Sequence, residues 1–248
     1  MKAAFAMWRN TRMIILTAVC AAIYGSALLA FKTAIPLIPG ITEVRIGNIF
    51  PMPLGLMFGP AGAWGAAIGN LIGDIFGGTL SPGSLGGFVG NFLLAYLPYT
   101  LWTTFIPFRH KTIDWDPRRP GHWLSYILIA FVSSAACAVI VSTFLDFFGL
   151  VPYKVLSKII TANNTLASLI GSLLLTSVFG LVKDHLHLFW VEVLDAEDMG
   201  KPIAGALGAW IVAAAAMFGV FGAMTSGLTT GTVSWLSTLF ILIGSILL

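Results

Sequence analysis

The residues of this chain that could do chemistry are few, and they lie where polar groups are expensive. Asn70 and Asp74 stand four apart in FGPAGAWGAAIGNLIGDIFGG, so on a helix an amide and a carboxylate stack on one face. Asn91 follows in the next apolar segment, and Asn163 and Asn164 lie in a later one. Ahead of them the stretch PLIPGITEVRIG carries Glu43 and Arg45, with Lys32 just before it and Asn48 just after. Acids and amides at membrane depth are costly unless they face a cavity or one another. Glu43, Arg45, Asn48, Asn70, Asp74, Asn91, Asn163 and Asn164 are therefore the expected substrate-binding set. Charges of both signs with several amides suit a polar or zwitterionic small molecule. The competing reading is that these side chains only join helices by hydrogen bonds.

Nothing in the sequence supports catalysis. There is no H-E-x-x-H, no G-x-S-x-G and no pair of membrane-depth carboxylates close in sequence. A nucleotide-binding G-x-x-x-x-G-K-[ST] loop is missing too; Gly200-Lys201-Pro202 fails at the last position. Any ATP hydrolysis must come from a partner, and the chain is not expected to be an enzyme. No metal site is expected either. His185 and His187 are two apart and do not face together on a helix. His110 and His122 lie in a charged loop and are expected to be solvated. Cys20 and Cys137 sit in apolar segments as small packing residues.

The elements that must position the polar set are membrane helices. At 58% hydrophobic, 9% charged and mean hydropathy +0.93, these 248 residues are not a soluble domain. Several apolar runs exceed the ~18–20 residues that cross a hydrocarbon core, and their continuity argues against a barrel. The fold class is an all-α polytopic membrane protein. Its first apolar segment is too long, and lacks a small-residue cleavage site, to be a removable signal peptide. Residues 1–12 form a basic cytoplasmic start, and 13–182 a six-helix core. Within that core, 48–58 is broken by Pro51 and Pro53. Residues 183–202 form an acidic linker, in which Leu186, Phe189, Trp190, Val193 and Leu194 are expected to lie on the membrane surface. Two more spans fill 203–248. Eight crossings put both termini inside, as the basic loops require, and bring the polar set to the outer half of the bilayer. The loop over 36–47 is then expected to cap an outward-facing pocket.

Two small-residue ridges stand out. Gly65, Gly69, Gly73 and Gly77 recur every fourth position, as do Ala18, Ala22, Ser26 and Ala30 in the first helix. Such ridges let helix backbones touch.

The basic start, ILTAVCAAIYGSALLAF, the outer loop, the glycine-rich pair around FGPAGAWGAAIGNLIGDIFGG and the late NNTLASLIGSLLLT helix resemble the substrate-binding S components of energy-coupling factor (ECF) transporters. The resemblance covers about 13–182. It implies a six-helix core in a prokaryotic plasma membrane that captures a vitamin or related micronutrient. It also implies a transmembrane coupling protein and two ATPase subunits as partners, which hydrolyse the ATP; the chain itself needs no cofactor. Ala18 and Ala22 match the family's Ala-x-x-x-Ala pattern that contacts the coupling protein, with Ser26 one turn further. The two C-terminal spans depart from the family. The start Met1-Lys2-Ala3-Ala4 lacks the histidine of nickel- and cobalt-binding members, which argues against a metal substrate. The alternative function is an autonomous carrier or channel using Asp74 for ion coupling.

Overall fold

A computed structural model describes residues 1–31, 36–38, 42–43 and 45–248. Helix α1 (Lys2–Ala6) and a 3-10 turn lead into α2 (Thr11–Phe31). Asn10 starts α2 by accepting the backbone N–H groups of Arg12 and Met13 at 3.0 and 3.2 Å. Beyond α2, β1 (Pro36–Ile38) pairs antiparallel with β2 (Thr42–Glu43), consistent with a loop too rich in proline and glycine for a helix. Lys32 and the Glu43 side chain lie outside the described residues, as does part of the expected cap.

A 3-10 turn (Ile46–Ile49) continues into α3 (Pro51–Phe58), which starts on a proline. Eight residues rise only ~12 Å, so α3 is a partial span. Gly59, at φ 51°, reverses the chain into α4 (Pro60–Phe76). Then come α5 (Ser84–Thr104), α6 (Pro120–Phe147) and α7 (Tyr153–Gly180). The short α8 (Trp190–Val193) and α9 (Ala196–Met199) precede the closing pair α10 (Gly205–Thr225) and α11 (Thr230–Leu247). Among the described residues five helices are long and apolar enough to cross a membrane: α2, α6, α7 with its continuation, α10 and α11. Helix α5 is as long as α2 and is buried along most of its length inside them.

The core is set by the contact between α2 and α4. A Cβ on Gly69 would meet Ala21 O at 2.9 Å and Gly25 N at 3.1 Å, and one on Gly73 would meet Leu28 Cδ1 at 3.1 Å. The glycine ridge is thus where two backbones touch. The small residues of α2 do the opposite: Ala18, Ala22, Ser26 and Ala30 are all exposed on the outside of the bundle.

Two sequence expectations need correction. Phe189, Trp190, Val193 and Leu194 are buried in protein, not laid on a membrane surface; of that set only Leu186 is exposed. They pack because Gly59, which has no side chain, leaves room for the Trp190 ring, and because Asn10 Nδ2 donates to Val193 O at 3.0 Å. Nor are His110 and His122 fully solvated: His122 is buried and His110 half-buried. Their rings stand 4.5 Å apart, His110 stacks on Trp102, His110 Nε2 lies 2.8 Å from Ser125 Oγ, and His122 Nδ1 accepts Asp116 N–H at 3.0 Å. Burial, followed by the neighbouring His122 and Arg119, holds His110 below the ordinary imidazole value.

Replacing Gly69 by valine should cost ~1–3 kcal/mol or more, since neither backbone can retreat without opening the core. Gly121→Ala, where a Cβ meets open space, should stay within about 0.5 kcal/mol. Thermal unfolding of both variants in the same detergent checks the ranking.

Candidate functional site

The polar set converges at the end of the bundle where α2 finishes and α5 and α7 begin. Tyr24 from α2 points inward, fully buried. Its hydroxyl lies 2.7 Å from Asn48 Oδ1 and 2.8 Å from Asn91 Oδ1. Asn48 Nδ2 donates to Asn164 Oδ1 at 2.6 Å, and Asn164 Nδ2 reaches Cys137 Sγ at 3.5 Å. Asn91 Nδ2 donates to Gly87 O at 2.8 Å. Five separate elements therefore supply one buried chain of polar groups.

Beside it runs a second, more open chain. Arg45 Nη1 donates to Asn70 Oδ1 at 3.4 Å, Asn70 Nδ2 to Asp74 Oδ2 at 3.3 Å, and Thr79 Oγ1 to Asp74 Oδ1 at 3.4 Å. Gly87 joins the two chains. A Cβ there would stand 2.8 Å from Asn70 Nδ2, and the Gly87 carbonyl is already held by Asn91. Asn70 is buried, while Arg45 and Asp74 are partly exposed at the rim.

Of the expected residues, Arg45, Asn48, Asn70, Asp74, Asn91 and Asn164 are brought together. Asn163 is half-buried on the neighbouring face of α7, and the Glu43 side chain falls outside the described residues. Tyr24 and Cys137 were not among the expected residues. Tyr24 carried one weak signal, a phenol in an otherwise apolar helix, which when buried needs a partner. Cys137 carried none.

The arrangement has more acceptor than donor. A phenol has one proton and cannot donate fully to two carbonyl oxygens at once. A ligand N–H placed between Tyr24, Asn48 and Asn91 would relieve that competition. At the rim, a guanidinium and a carboxylate offer fixed donors and acceptors of opposite charge. Among the described residues no group of three or more His, Cys, Asp or Glu side chains could hold a metal. The chemistry on offer is recognition by hydrogen bonds.

Asn164→Leu leaves the buried Asn48 amide without its acceptor and should cost ~1–3 kcal/mol. The Asn48→Leu/Asn164→Leu double variant should cost less than the two single costs added, because the unpaired group is then gone. Melting temperatures of the three variants test this; strict additivity would mean the 2.6 Å contact carries no coupling.

The family model for QueT transporters matches residues 14–180, a span that contains both polar chains and ends at the last residue of α7. No curated protein and no solved structure matches. The chain belongs to the QueT transporter family, a group of ECF-transporter S components.

Proposed function

We propose that the chain is the membrane-embedded binding subunit of an ECF-type importer and that its substrate is a queuosine precursor. The carrying observation is the buried Tyr24–Asn48–Asn91–Asn164 chain beside Arg45, Asn70 and Asp74. Carboxamides present a donor and an acceptor side by side, which matches the edge of a purine-like base. Asp74 is placed to accept N–H groups from such an edge, and Arg45 to donate to its oxygen.

Orientation follows from charge. Lys2, Arg9, Arg12, Arg109, Lys111, Arg118, Arg119, Lys183 and Lys201 all belong to the end of the bundle away from the amide chain. The positive-inside rule puts that end in the cytoplasm and the amide site towards the outside. Delivery then needs a partner, since the chain has no nucleotide loop. The exposed ridge of Ala18, Ala22 and Ser26 is the face assigned to a transmembrane coupling protein, with two ATPase subunits behind it. Catalysis is not assigned to this chain.

Purified protein should bind the queuosine precursor and discriminate against a pyrimidine base, measured by calorimetry. Asp74→Ala should weaken binding by ~1–3 kcal/mol if its carboxylate accepts a ligand N–H; unchanged affinity with unchanged folding would assign Asp74 to structure. Ala18→Trp with Ala22→Trp should abolish assembly and uptake while leaving binding intact, because that ridge is not packed inside the bundle. Ion-gradient-driven accumulation by vesicles holding this chain alone would overturn the binding-subunit reading in favour of an autonomous carrier.

A further inference from the structure

At the basic end of the bundle lies a cavity of about 510 Å³, within the range of small-molecule sites. It is built mostly outside residues 14–180. Lys2, Lys183, the α8 segment and residues 199–202 close it over the end of α5. The family-matched core therefore does not account for it.

Its wall has two characters. Tyr96, Tyr99, Phe189 and Trp190 supply aromatic surface, and Lys2, Lys111, Lys183 and Lys201 supply positive charge. The opposing carboxylates are engaged, Asp114 with Lys183 at 3.2 Å and Glu192 with His187 at 3.7 Å, so Lys183 is itself compensated, and Lys2 Nζ is held by Glu197 O at 2.6 Å. Lys111 and Lys201 are exposed and make no hydrogen bond or ion pair among the described residues.

Cations over an aromatic, apolar floor at the membrane–water boundary select an anion that carries an apolar body. We infer that the cavity binds the phosphate headgroup of an anionic membrane lipid. Lys111 and Lys201, the two lysines without a partner among the described residues, neutralise the phosphate. The aromatic wall takes the glycerol and the first methylenes. Basic pockets between helices on a cytoplasmic face recognise headgroups by the same means. Assignment to the inner leaflet rests on the orientation proposed above; the headgroup chemistry does not.

The test uses the full chain in mild detergent, titrated with phosphatidylglycerol, phosphatidylcholine or inorganic phosphate and followed by native mass spectrometry. Phosphatidylglycerol should be retained in preference to phosphatidylcholine. Lys111→Gln with Lys201→Gln should lower its apparent affinity roughly 30-fold, the effect of two lysines beside an anionic surface. Lys111→Arg with Lys201→Arg should restore it. Both lysines are exposed, so the fold should survive, and binding of the queuosine precursor at the other end should not change. That control separates failure of this inference from failure of the transport reading. Equal retention of the two lipids, or no response to the glutamine pair, would overturn the lipid site. Saturation by inorganic phosphate with no preference for lipid would overturn it in favour of a soluble phosphate ligand.

Discussion

A carboxamide at membrane depth has no water to fall back on, and most of this structure follows from that constraint. Asn48, Asn91 and Asn164 are each almost fully buried, and an unmatched amide there costs several kcal/mol. Apart from the bond of Asn91 Nδ2 to Gly87 O within α5, their partners come from other elements. For Tyr24 on α2 to reach the loop before α3 and the start of α5, α2 and α4 must approach until Gly25 and Gly69 touch backbone to backbone. The glycines set the separation at which the amides can meet, and the amides in turn fix the register of helices whose apolar faces alone would slide.

The same logic distributes charge. Arg45 and Asp74 remain partly exposed at the rim, with Asn70 interposed between them and hydrogen-bonded to both. A direct buried ion pair would carry a large desolvation penalty. An interposed amide lets each charge keep some water while holding a defined orientation. The rim can therefore exchange its internal hydrogen bonds for bonds to a ligand more easily than the buried chain can. If the set binds substrate as proposed, recognition would be divided between a stiff interior and an adaptable edge.

Much of this was legible from residue spacing. The i,i+4 relation of Asn70 and Asp74, the ridge of Gly65, Gly69 and Gly73, and the broken segment at Pro51 and Pro53 are local facts. Helical geometry turns them directly into structure. Tyr24 and Cys137 were not legible, because their roles depend on which residue of another helix arrives opposite them. The loop histidines and the linker aromatics were misjudged for a related reason. Charge around His110 and His122 suggested water, but Trp102 at the end of α5 and Trp115 within the loop itself cover them. Trp190 looked like a membrane-surface residue only because the space above Gly59 has no trace in its neighbouring sequence.

The two C-terminal helices raise a question of access. Helices α10 and α11 form a tight hairpin: a Cβ on Gly208 would meet Gly244 O at 2.7 Å, and one on Gly244 would meet Gly208 O at 2.9 Å. The hairpin leans chiefly on α6. The hydroxyls of Thr143 on α6 and of Thr238 are 3.1 Å apart, and from α7 Tyr153 Oη donates to Gly219 O at 2.8 Å. The extra pair thus buries one flank of the core while Ala18, Ala22 and Ser26 of α2 stay exposed. Large apolar side chains on its own outer face, Trp210, Phe221, Leu239 and Phe240 among them, are likewise exposed and suit lipid contact. An addition on the α6 flank changes the outline of the molecule without covering the ridge that a coupling partner would need. It also brings residues 199–202 and Leu248 to the basic end, where they close the cavity. The extension is therefore compatible with transport through a partner, and it makes a second site that the six-helix core alone would leave open.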